Sequence, residues 1–455
     1  MQLIHRGEKM KPLKKYDIFS YGIGDFGINL HFQMINFFFA YFLTDIFGIP
    51  LFHVMILLLV SRVIDAITDP IMGYIADHTD TRWGKYRPYV CIGAIPLGII
   101  LASLFTVPDL SQNLKLVYIY IFYIMHGIIF TIVGMPYSSI SAVITQDEQE
   151  RALVSTVRMF FAVIVGMTII GTCTIPIKDL FESEQDGFFA VAVIYAVVAA
   201  GLLIFSGTSA KERVRVKKDK FKFKEIFPIV SKNKALLVLS LAMFLNTSVW
   251  VVGNAVGVYY FKYVLENESL YSVFWKWMFP ANLLGLILTP ILTKKFGKKA
   301  LFMFGSVVVA IGYFARHFVP LDNLGLFIGI SMAGSVTMMF CSITQWGMVP
   351  DTVEYGQWKT GIRSEAIPIG FFSFTFKLAM ALGVAFTIFY LDINGYVANQ
   401  DLSEQTLGAV KFLFNILPGI FSIGCFFSLF YYVLDRKTYN KILAELNEAK
   451  TAESK

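Results

Sequence analysis

Charged residues are scarce in this chain. Asp, Glu, Lys and Arg make up 16% of its 455 residues, whereas a soluble globular protein carries about 25%. Cysteine is scarce as well, and the four cysteines lack the paired spacing of a zinc site or a disulfide framework. The composition is instead 56% hydrophobic, with apolar runs of about 20 residues that are each long enough to cross a bilayer as a helix. The sequence therefore predicts an all-α polytopic membrane protein.

Catalytic motifs are also missing from the sequence. It holds no paired His motif, no Gly-rich phosphate loop and no nucleophile spaced with a base. We therefore expect neither an enzyme nor an organic cofactor. Repeated pore segments and charged rings, which are typical of channels, are missing too. A transporter is the class that these absences favour.

Breaks at Gly, Pro and charge clusters divide the chain into twelve candidate spans. The spans are 18–45, 51–77, 88–107, 114–142, 155–177, 187–207, 235–263, 270–293, 299–318, 324–350, 365–393 and 407–434. A basic linker, 209–234, separates an N-terminal six-helix half, 1–208, from a C-terminal six-helix half, 235–436, and 437–455 form a tail. Two six-helix halves around a central cavity are the major facilitator architecture.

Lys and Arg are distributed unevenly over the connections between spans. With both termini in the cytoplasm, the cytoplasmic segments hold about five times as many of them as the external ones, as the positive-inside rule predicts. The net charge of +7 is therefore a topology signal and requires no nucleic-acid partner. We expect a multi-pass protein of the cytoplasmic cell membrane that acts as a monomer in the lipid bilayer.

Three charged side chains lie inside the second candidate span, in SRVIDAITDPIMG. A charge at a helix centre costs about 2.5–3.5 kcal/mol, so such residues usually face a cavity or a partner. Asp65 and Asp69 share one helical face, and Arg62 lies on the same side. An internal salt-bridge cluster would need no ligand, but one Arg cannot neutralise two carboxylates. With hydroxyl oxygens from Thr68 and, on span four, Thr131, the two carboxylates predict a site for Na⁺ or H⁺.

Several stretches resemble, in order, the signature of the glycoside–pentoside–hexuronide:cation symporters. They are YGIGDFG and YFLTDIFG on span one, RVIDAITDPIMGYIADHTDTRWGKYRP on span two, TIVGMPYSSISAVIT on span four, STVRMFFA on span five and MVPDTVEYGQWKTGIRSE after span ten. The resemblance covers nearly the whole chain. It implies a major facilitator protein that moves a sugar together with a cation by alternating access.

The resemblance also implies roles for single residues. Asp65, Asp69, Thr68 and Thr131 match the family's cation-site positions. Lys377, alone in an apolar run, matches a lysine whose ammonium faces that acidic site; its mid-span position disfavours the alternative of snorkelling to the interface. A charge network that gates the cytoplasmic mouth is expected for Arg62, Asp351, Glu354 and Arg363.

The substrate positions depart from the family pattern. The best-known member has carboxylates where this chain has Asn29 and Gly134, whereas the arginine at Arg158 is kept. A cavity that has lost two negative charges and kept Arg158 and Lys377 favours an acidic saccharide, because Arg fits carboxylate or sulfonate oxygens. A neutral sugar could use Asn29 equally well. The remaining substrate-site candidates are Asn36, Gln345, Trp346 and Ser373.

The sequence thus predicts a secondary active transporter that couples inward movement of Na⁺ or H⁺ to uptake of a sugar or glycoside. A hexuronide, glucuronide or sulfonated sugar is the favoured substrate, and a neutral pentoside or oligosaccharide is the alternative. A facilitator of the same fold with a lipid-like cargo is the remaining rival. Sodium at Asp65 and Asp69 is the metal ion that we expect.

Overall fold

The computed structural model describes residues 12–145, 147–213, 226–362, 364 and 366–453. Arg62 is described in its backbone alone, and Arg363 lies outside the described residues. Residues 214–225 of the predicted linker lie outside them as well. The side chains of both arginines of the predicted gate therefore lie outside the described part of the chain.

Regular structure in the described residues is helical, apart from one bridge between Thr81 and Gly84. The α-helices are α1 Lys15–Gly22, α2 Gly24–Met34, α3 Leu51–His78, α4 Arg87–Leu104, α5 Gln112–Ile144, α6 Glu148–Met159, α7 Met167–Lys178, α8 Glu184–Ser209, α9 Ile226–Ser231, α10 Lys234–Tyr259, α11 Ser269–Phe296, α12 Lys298–His317, α13 Leu324–Thr360, α14 Ala366–Ile393, α15 Glu404–Lys411, α16 Leu417–Phe430 and α17 Arg436–Glu453. Short π-helical segments continue several of them: Ile35–Phe39, Phe42–Ile46, Phe160–Gly166, Tyr260–Val264 and Phe412–Ile416.

The predicted all-α fold is confirmed, since each of the twelve predicted spans coincides with a helical stretch. Some spans join several elements; the fifth, for example, joins α6, a π-helical segment and α7. Within the described part of the chain, nine helices are long and apolar enough to cross a membrane. α3 contributes a shorter apolar segment, Leu51–Ser61.

Several helical regions extend beyond the predicted spans; α6 begins at Glu148, before its span, and α9 lies in the predicted linker. α13 continues through Pro350 to Thr360, ten residues past the predicted end of its span. α17 forms in the segment that was predicted only as a tail, because Ile442 and Leu446, four residues apart on one face, pack into an apolar core. The Trp358 indole N–H also donates to Glu445 at 2.8 Å, which joins the extended end of α13 to α17.

The described residues form two compact units. The first takes those of Met1–Lys218 and Ser269–Lys276, and the second takes those of Asp219–Glu268 and Trp277–Lys455. Buried side chains of α1, α4 and α5 form the core of the first unit, with Tyr21 and Tyr137 among the largest. In the second unit the core includes Phe302, Phe372 and the free thiol of Cys341.

Candidate functional site

Small residues in the motif YGIGDFG allow the first helices to approach their neighbours closely. A Cβ added at Gly22 would lie 2.6 Å from Cγ1 of Val157 on α6, and one added at Gly24 would lie 2.5 Å from Cε2 of Tyr137 on α5. A methyl group would fit at these separations only if the neighbouring side chains moved. The glycines therefore allow the end of α1 to lie against α6 and the start of α2, with Asp25, to lie against α5.

Asp25 forms an ion pair with Arg158 across α2 and α6. Nε of Arg158 donates to Oδ2 of Asp25 at 2.5 Å, and Nη2 donates to Oδ1 at 3.2 Å. The side chains of Arg158 and Asp25 are 22% and 10% exposed, respectively. Because both carboxylate oxygens accept from one planar guanidinium, the pair is bidentate, the arrangement that gives ion pairs both strength and a fixed orientation.

Two tyrosines enclose this ion pair. The Tyr137 hydroxyl lies 3.0 Å from Oδ2 of Asp25 and 2.7 Å from the carbonyl oxygen of Tyr21, and the Tyr21 hydroxyl donates back to the carbonyl of Tyr137 at 2.8 Å. The guanidinium carbon of Arg158 lies 5.5 Å from the ring centre of Tyr21 and 5.2 Å from that of Tyr137, within the range of cation–π contacts. The buried charges are thus held by hydrogen bonds and ring faces together.

The ion pair adds a carboxylate to the charge count on which the predicted acidic substrate rested. That count named Arg158 and Lys377 as cations that are kept and did not include Asp25, which forms an ion pair with Arg158. Sequence reasoning missed Asp25, although an ionisable residue inside an apolar span is itself a signal of function. A carboxylate in the first predicted span was the observation that could have identified it.

The amides predicted to contact substrate on the first span follow Asp25 along the chain. Nδ2 of Asn29 donates to the carbonyl of Asp25 at 2.9 Å, and its Oδ1 accepts from Nε2 of Gln33 at 3.2 Å. Asn36 donates to the carbonyl of Phe32 at 2.6 Å. Both asparagines are partly exposed. They present neutral polar groups beyond the ion pair.

The predicted cation-site residues meet where α3 packs on α5. Oγ1 of Thr131 donates to Oδ1 of Asp69 at 3.0 Å. One turn earlier, Oδ1 of Asp65 lies 3.1 Å from the position that a Cβ would take at Gly127. Asp65 and Asp69, four residues apart on α3, therefore meet Gly127 and Thr131, which are four residues apart on α5. The contacts follow the same order along both helices. The two helices run parallel, as predicted second and fourth spans must.

Burial limits the access of bulk water to these residues. Asp65 is 8% exposed and Thr131 is 5% exposed, while Asp69 and Thr68 are partly buried. The Thr68 hydroxyl is 3.5 Å from the backbone carbonyl of Asp65 on its own helix, a long hydrogen bond. Carboxylate and hydroxyl oxygens are the ligand types that hard cations prefer. The donor set fits Na⁺ by its chemistry.

Of the substrate candidates in the second unit, Gln345 is buried and Trp346 is exposed. Oε1 of Gln345 accepts from Nδ2 of Asn246 on α10 at 3.0 Å, and each residue is 3% exposed. The Trp346 side chain is 41% exposed and meets the rings of Phe372 and Phe376 nearly edge-on. Ser373 and Lys377 are partly buried on α14.

The predicted gate residue Asp351 has a basic partner in its own unit. Nζ of Lys298, at the start of α12, lies 2.7 and 2.8 Å from the two carboxylate oxygens of Asp351 and also donates to the carbonyl of Gly347. Glu354 lies one turn further along α13 and is partly buried. Sequence reasoning missed Lys298, because it counted that residue only as part of a basic loop.

The profile of the family described as MFS/sugar transport protein matches residues 20–436. This chain belongs to that family. It is 34% identical over 453 residues to the isoprimeverose transporter of Lactiplantibacillus pentosus, covering 96% of this chain and 92% of that protein. It is 32% identical over 447 residues to the uncharacterized symporter YnaJ of Bacillus subtilis (strain 168), covering 96% of each.

Structural comparison concerns the fold of the chain. The crystal structure of the nucleoside transporter NupG superposes with a TM-score of 0.62 at 13% identity, covering 93% of this chain and 100% of that one. At that identity the likeness concerns the fold alone. Together with the family match it confirms the predicted major facilitator fold, and the chain is a multi-pass membrane transporter rather than an enzyme.

Proposed function

We propose that this protein couples the inward movement of Na⁺ to the uptake of a sugar or glycoside. The observation that carries the proposal is the meeting of Asp65 and Asp69 with Gly127 and Thr131 across α3 and α5. Asp65, Asp69 and Thr131 would hold the ion through their oxygens, with Thr68 as a further donor. Each unit charge that enters down a potential of 100 mV supplies about 2.3 kcal/mol.

Coupling requires that the ion and the sugar change each other's affinity. If Na⁺ tightens sugar binding by some factor, sugar must tighten Na⁺ binding by the same factor. The sugar-facing groups of the first unit lie on α2 and α6, whereas the carboxylates of the ion site lie on α3. Ion and sugar therefore use different side chains, and their mutual effect is measurable as a linkage.

For the sugar itself, a neutral glycoside is the substrate that the first unit favours. Arg158 and Asp25 form an ion pair of zero net charge, and the nearby amide of Asn29 is neutral. Neutral hydroxyls can accept from the remaining guanidinium N–H groups and exchange hydrogen bonds with the amide. The similarity to an isoprimeverose transporter, with 34% identity, supports the same choice.

An acidic saccharide is the second candidate. Lys377 lies partly buried within the apolar helix α14, and a cation in such a place serves an anionic group well. The two candidates differ in one measurable respect, because an acidic substrate needs its carboxylate or sulfonate for binding and a neutral one does not.

Transport into proteoliposomes tests the proposal. Uptake of isoprimeverose, a neutral galactoside, a glucuronide and a sulfonated hexose is measured with an inward Na⁺ gradient, with an inward H⁺ gradient and with neither. We expect Na⁺-driven accumulation of the neutral sugars. If only the glucuronide and the sulfonated hexose accumulate, the substrate is an acidic saccharide and not a neutral one. If sugar accumulates only with the H⁺ gradient, the coupling ion is H⁺ and not Na⁺. Indifference to every sugar, together with uptake of an acyl cargo, would contradict sugar symport.

A matched pair of variants locates the ion site. Asp69→Asn removes the carboxylate that accepts from Thr131, and we expect it to abolish the Na⁺ dependence. Asp45→Asn removes another buried carboxylate, 7% exposed, from the π-helical segment Phe42–Ile46, and we expect it to retain the Na⁺ dependence. Equal loss in both variants would show that the effect is general damage and would contradict the assignment of the site.

A further inference from the structure

We infer that Asp25 decides which substrate charge this transporter accepts. Through its ion pair with Arg158 it turns a cationic sugar contact into a neutral one and thereby excludes anionic glycosides. The inference rests on the proposed sugar uptake and deepens it. Asp25 acts through Arg158 and is in this sense a positioning residue that determines specificity.

The geometry leaves part of the guanidinium available to a sugar. Of the five N–H groups of Arg158, the Nε group and one on Nη2 point to Asp25. The three others, two on Nη1 and one on Nη2, can donate to substrate hydroxyls. Because Asp25 contacts only the Nε and Nη2 side of the guanidinium, the ion pair neutralises the charge of Arg158 and still leaves N–H groups that can donate hydrogen bonds.

The carboxylate of Asp25 cannot easily give way to a competing anion. The Asp25 side chain is 10% exposed, and the carboxylate oxygen that accepts from Nε of Arg158 also accepts from the Tyr137 hydroxyl. Gly24, the residue before it, leaves no space against Tyr137 and Ser206. A carboxylate-bearing sugar would have to approach a guanidinium whose counter-charge is already fixed, at the cost of repulsion between two carboxylates in a poorly solvated place.

The residues beyond Asp25 do not restore a positive charge. One turn later the chain has Asn29, and a further turn later Gln33, and their amides bond to each other at 3.2 Å. Hence Asp25 alone among these three residues of α2 changes the charge that Arg158 presents. Replacing it with Asn should free a guanidinium for an anionic substrate while preserving the shape of the side chain.

Two glycosides that differ at a single carbon test this inference. Methyl β-glucoside carries CH₂OH at C6, where methyl β-glucuronide carries a carboxylate. Each is measured as a competitor of isoprimeverose uptake, in Na⁺, for the unsubstituted protein, Asp25→Asn, Asp25→Glu and Asp45→Asn. We expect Asp25→Asn to shift the preference toward the glucuronide by about 10- to 100-fold, the value of a hydrogen bond to a charged group.

The other variants separate charge from structure. Asp25→Glu keeps the negative charge and should retain the preference of the unsubstituted protein between the glucoside and the glucuronide. If the change in Asp25→Asn came only from disturbed packing, Asp25→Glu would not restore that preference. Asp45→Asn removes a buried carboxylate elsewhere on the first span and should leave the preference unchanged. In the double variant Asp25→Asn/Arg158→Gln both charges are gone, and the gain for the glucuronide should vanish.

Several outcomes would overturn the inference. One is a preference for the glucuronide over the glucoside that differs by less than twofold between Asp25→Asn and the unsubstituted protein. The same conclusion holds if neither glycoside competes with isoprimeverose in either protein. Another is an equal shift in Asp45→Asn. If Asp25→Asn does not fold, the unsubstituted protein decides: preference for the glucoside supports the inference, and a tenfold preference for the glucuronide contradicts it. Na⁺ dependence of isoprimeverose uptake, measured in the same vesicles, reports separately on the proposed function.

Discussion

Replacing Gly24 with alanine should destabilise the first unit and disturb the ion pair at the same time. The added Cβ would lie 2.5 Å from Cε2 of Tyr137 and 2.7 Å from Oγ of Ser206. Ordinary contacts between carbon atoms are about 3.5–4.0 Å long, so at least one neighbour has to move by about 1 Å. Tyr137 is 1% exposed and Ser206 is fully buried, which leaves neither of them an open direction.

The magnitude follows from two opposing effects. Overpacking a buried contact costs about 1–3 kcal/mol. Alanine regains at most about 1 kcal/mol over glycine in a helix, and Gly24 is the first residue of α2, where this gain is smallest. We therefore expect a net loss of about 1–2 kcal/mol in the free energy of unfolding.

The matched control is Gly201→Ala on α8, where an added Cβ meets nothing within 4 Å. Thermal unfolding of the purified protein, followed by intrinsic fluorescence, should give a lower midpoint for Gly24→Ala than for the unsubstituted protein. Gly201→Ala should be unchanged or slightly raised. A Gly24→Ala protein as stable as the control would refute the close packing of α2 on α5, and with it the account of how Asp25 is positioned.

Two further predictions concern the ion site and the second unit. Thr131→Val should weaken Na⁺ activation of sugar uptake by about tenfold or more, because a hydroxyl that serves a carboxylate is worth at least about 1.5 kcal/mol. Thr387→Val removes a buried hydroxyl that donates to the carbonyl of Gly383 on its own helix, and it should leave the Na⁺ activation unchanged. Equal losses of activation in both variants would contradict the prediction. Asp351→Asn should lower the free energy of unfolding by no more than about 1 kcal/mol, since the Lys298 side chain is 37% exposed. A larger loss in thermal unfolding would show that Asp351 has a role beyond its ion pair with Lys298.

The helical architecture was predictable because the lengths of the apolar runs in the sequence are enough to locate most of the helices. Each apolar run had to become a helix, since backbone groups in lipid must be satisfied within the segment. The tail helix α17 was missed because its apolar residues are few; Ile442 and Leu446 gain burial only against the assembled core of the second unit. Similarly, the extension of α13 past Pro350 depends on tertiary partners such as Glu445 for Trp358.

The contact between α3 and α5 at the proposed ion site was partly predictable for a geometric reason. The spacing of Asp65 and Asp69 places them on one face of α3, and the resemblance to a transporter family adds Thr131, whose hydroxyl contacts Asp69 in the structure. The Asp25–Arg158 pair could not be derived in this way, because its members are 133 residues apart in the chain and belong to different helices. Only their packing, permitted by Gly22 and Gly24, brings them together.

The two carboxylate clusters of the first unit show how a partner sets the role of an aspartate. Asp25 binds a guanidinium, which keeps its proton throughout the physiological pH range, so a cation can reach this carboxylate only by displacing Arg158. Among the contacts of Asp69 is the Thr131 hydroxyl across the helix interface, which supplies a further oxygen. Such a contact is compatible with a bound cation, whereas the bidentate ion pair is not. Under the proposed function, the same residue type would serve ion coupling on α3 and substrate selection on α2, and we expect that exchanging the partners, rather than the aspartates, would convert one role into the other.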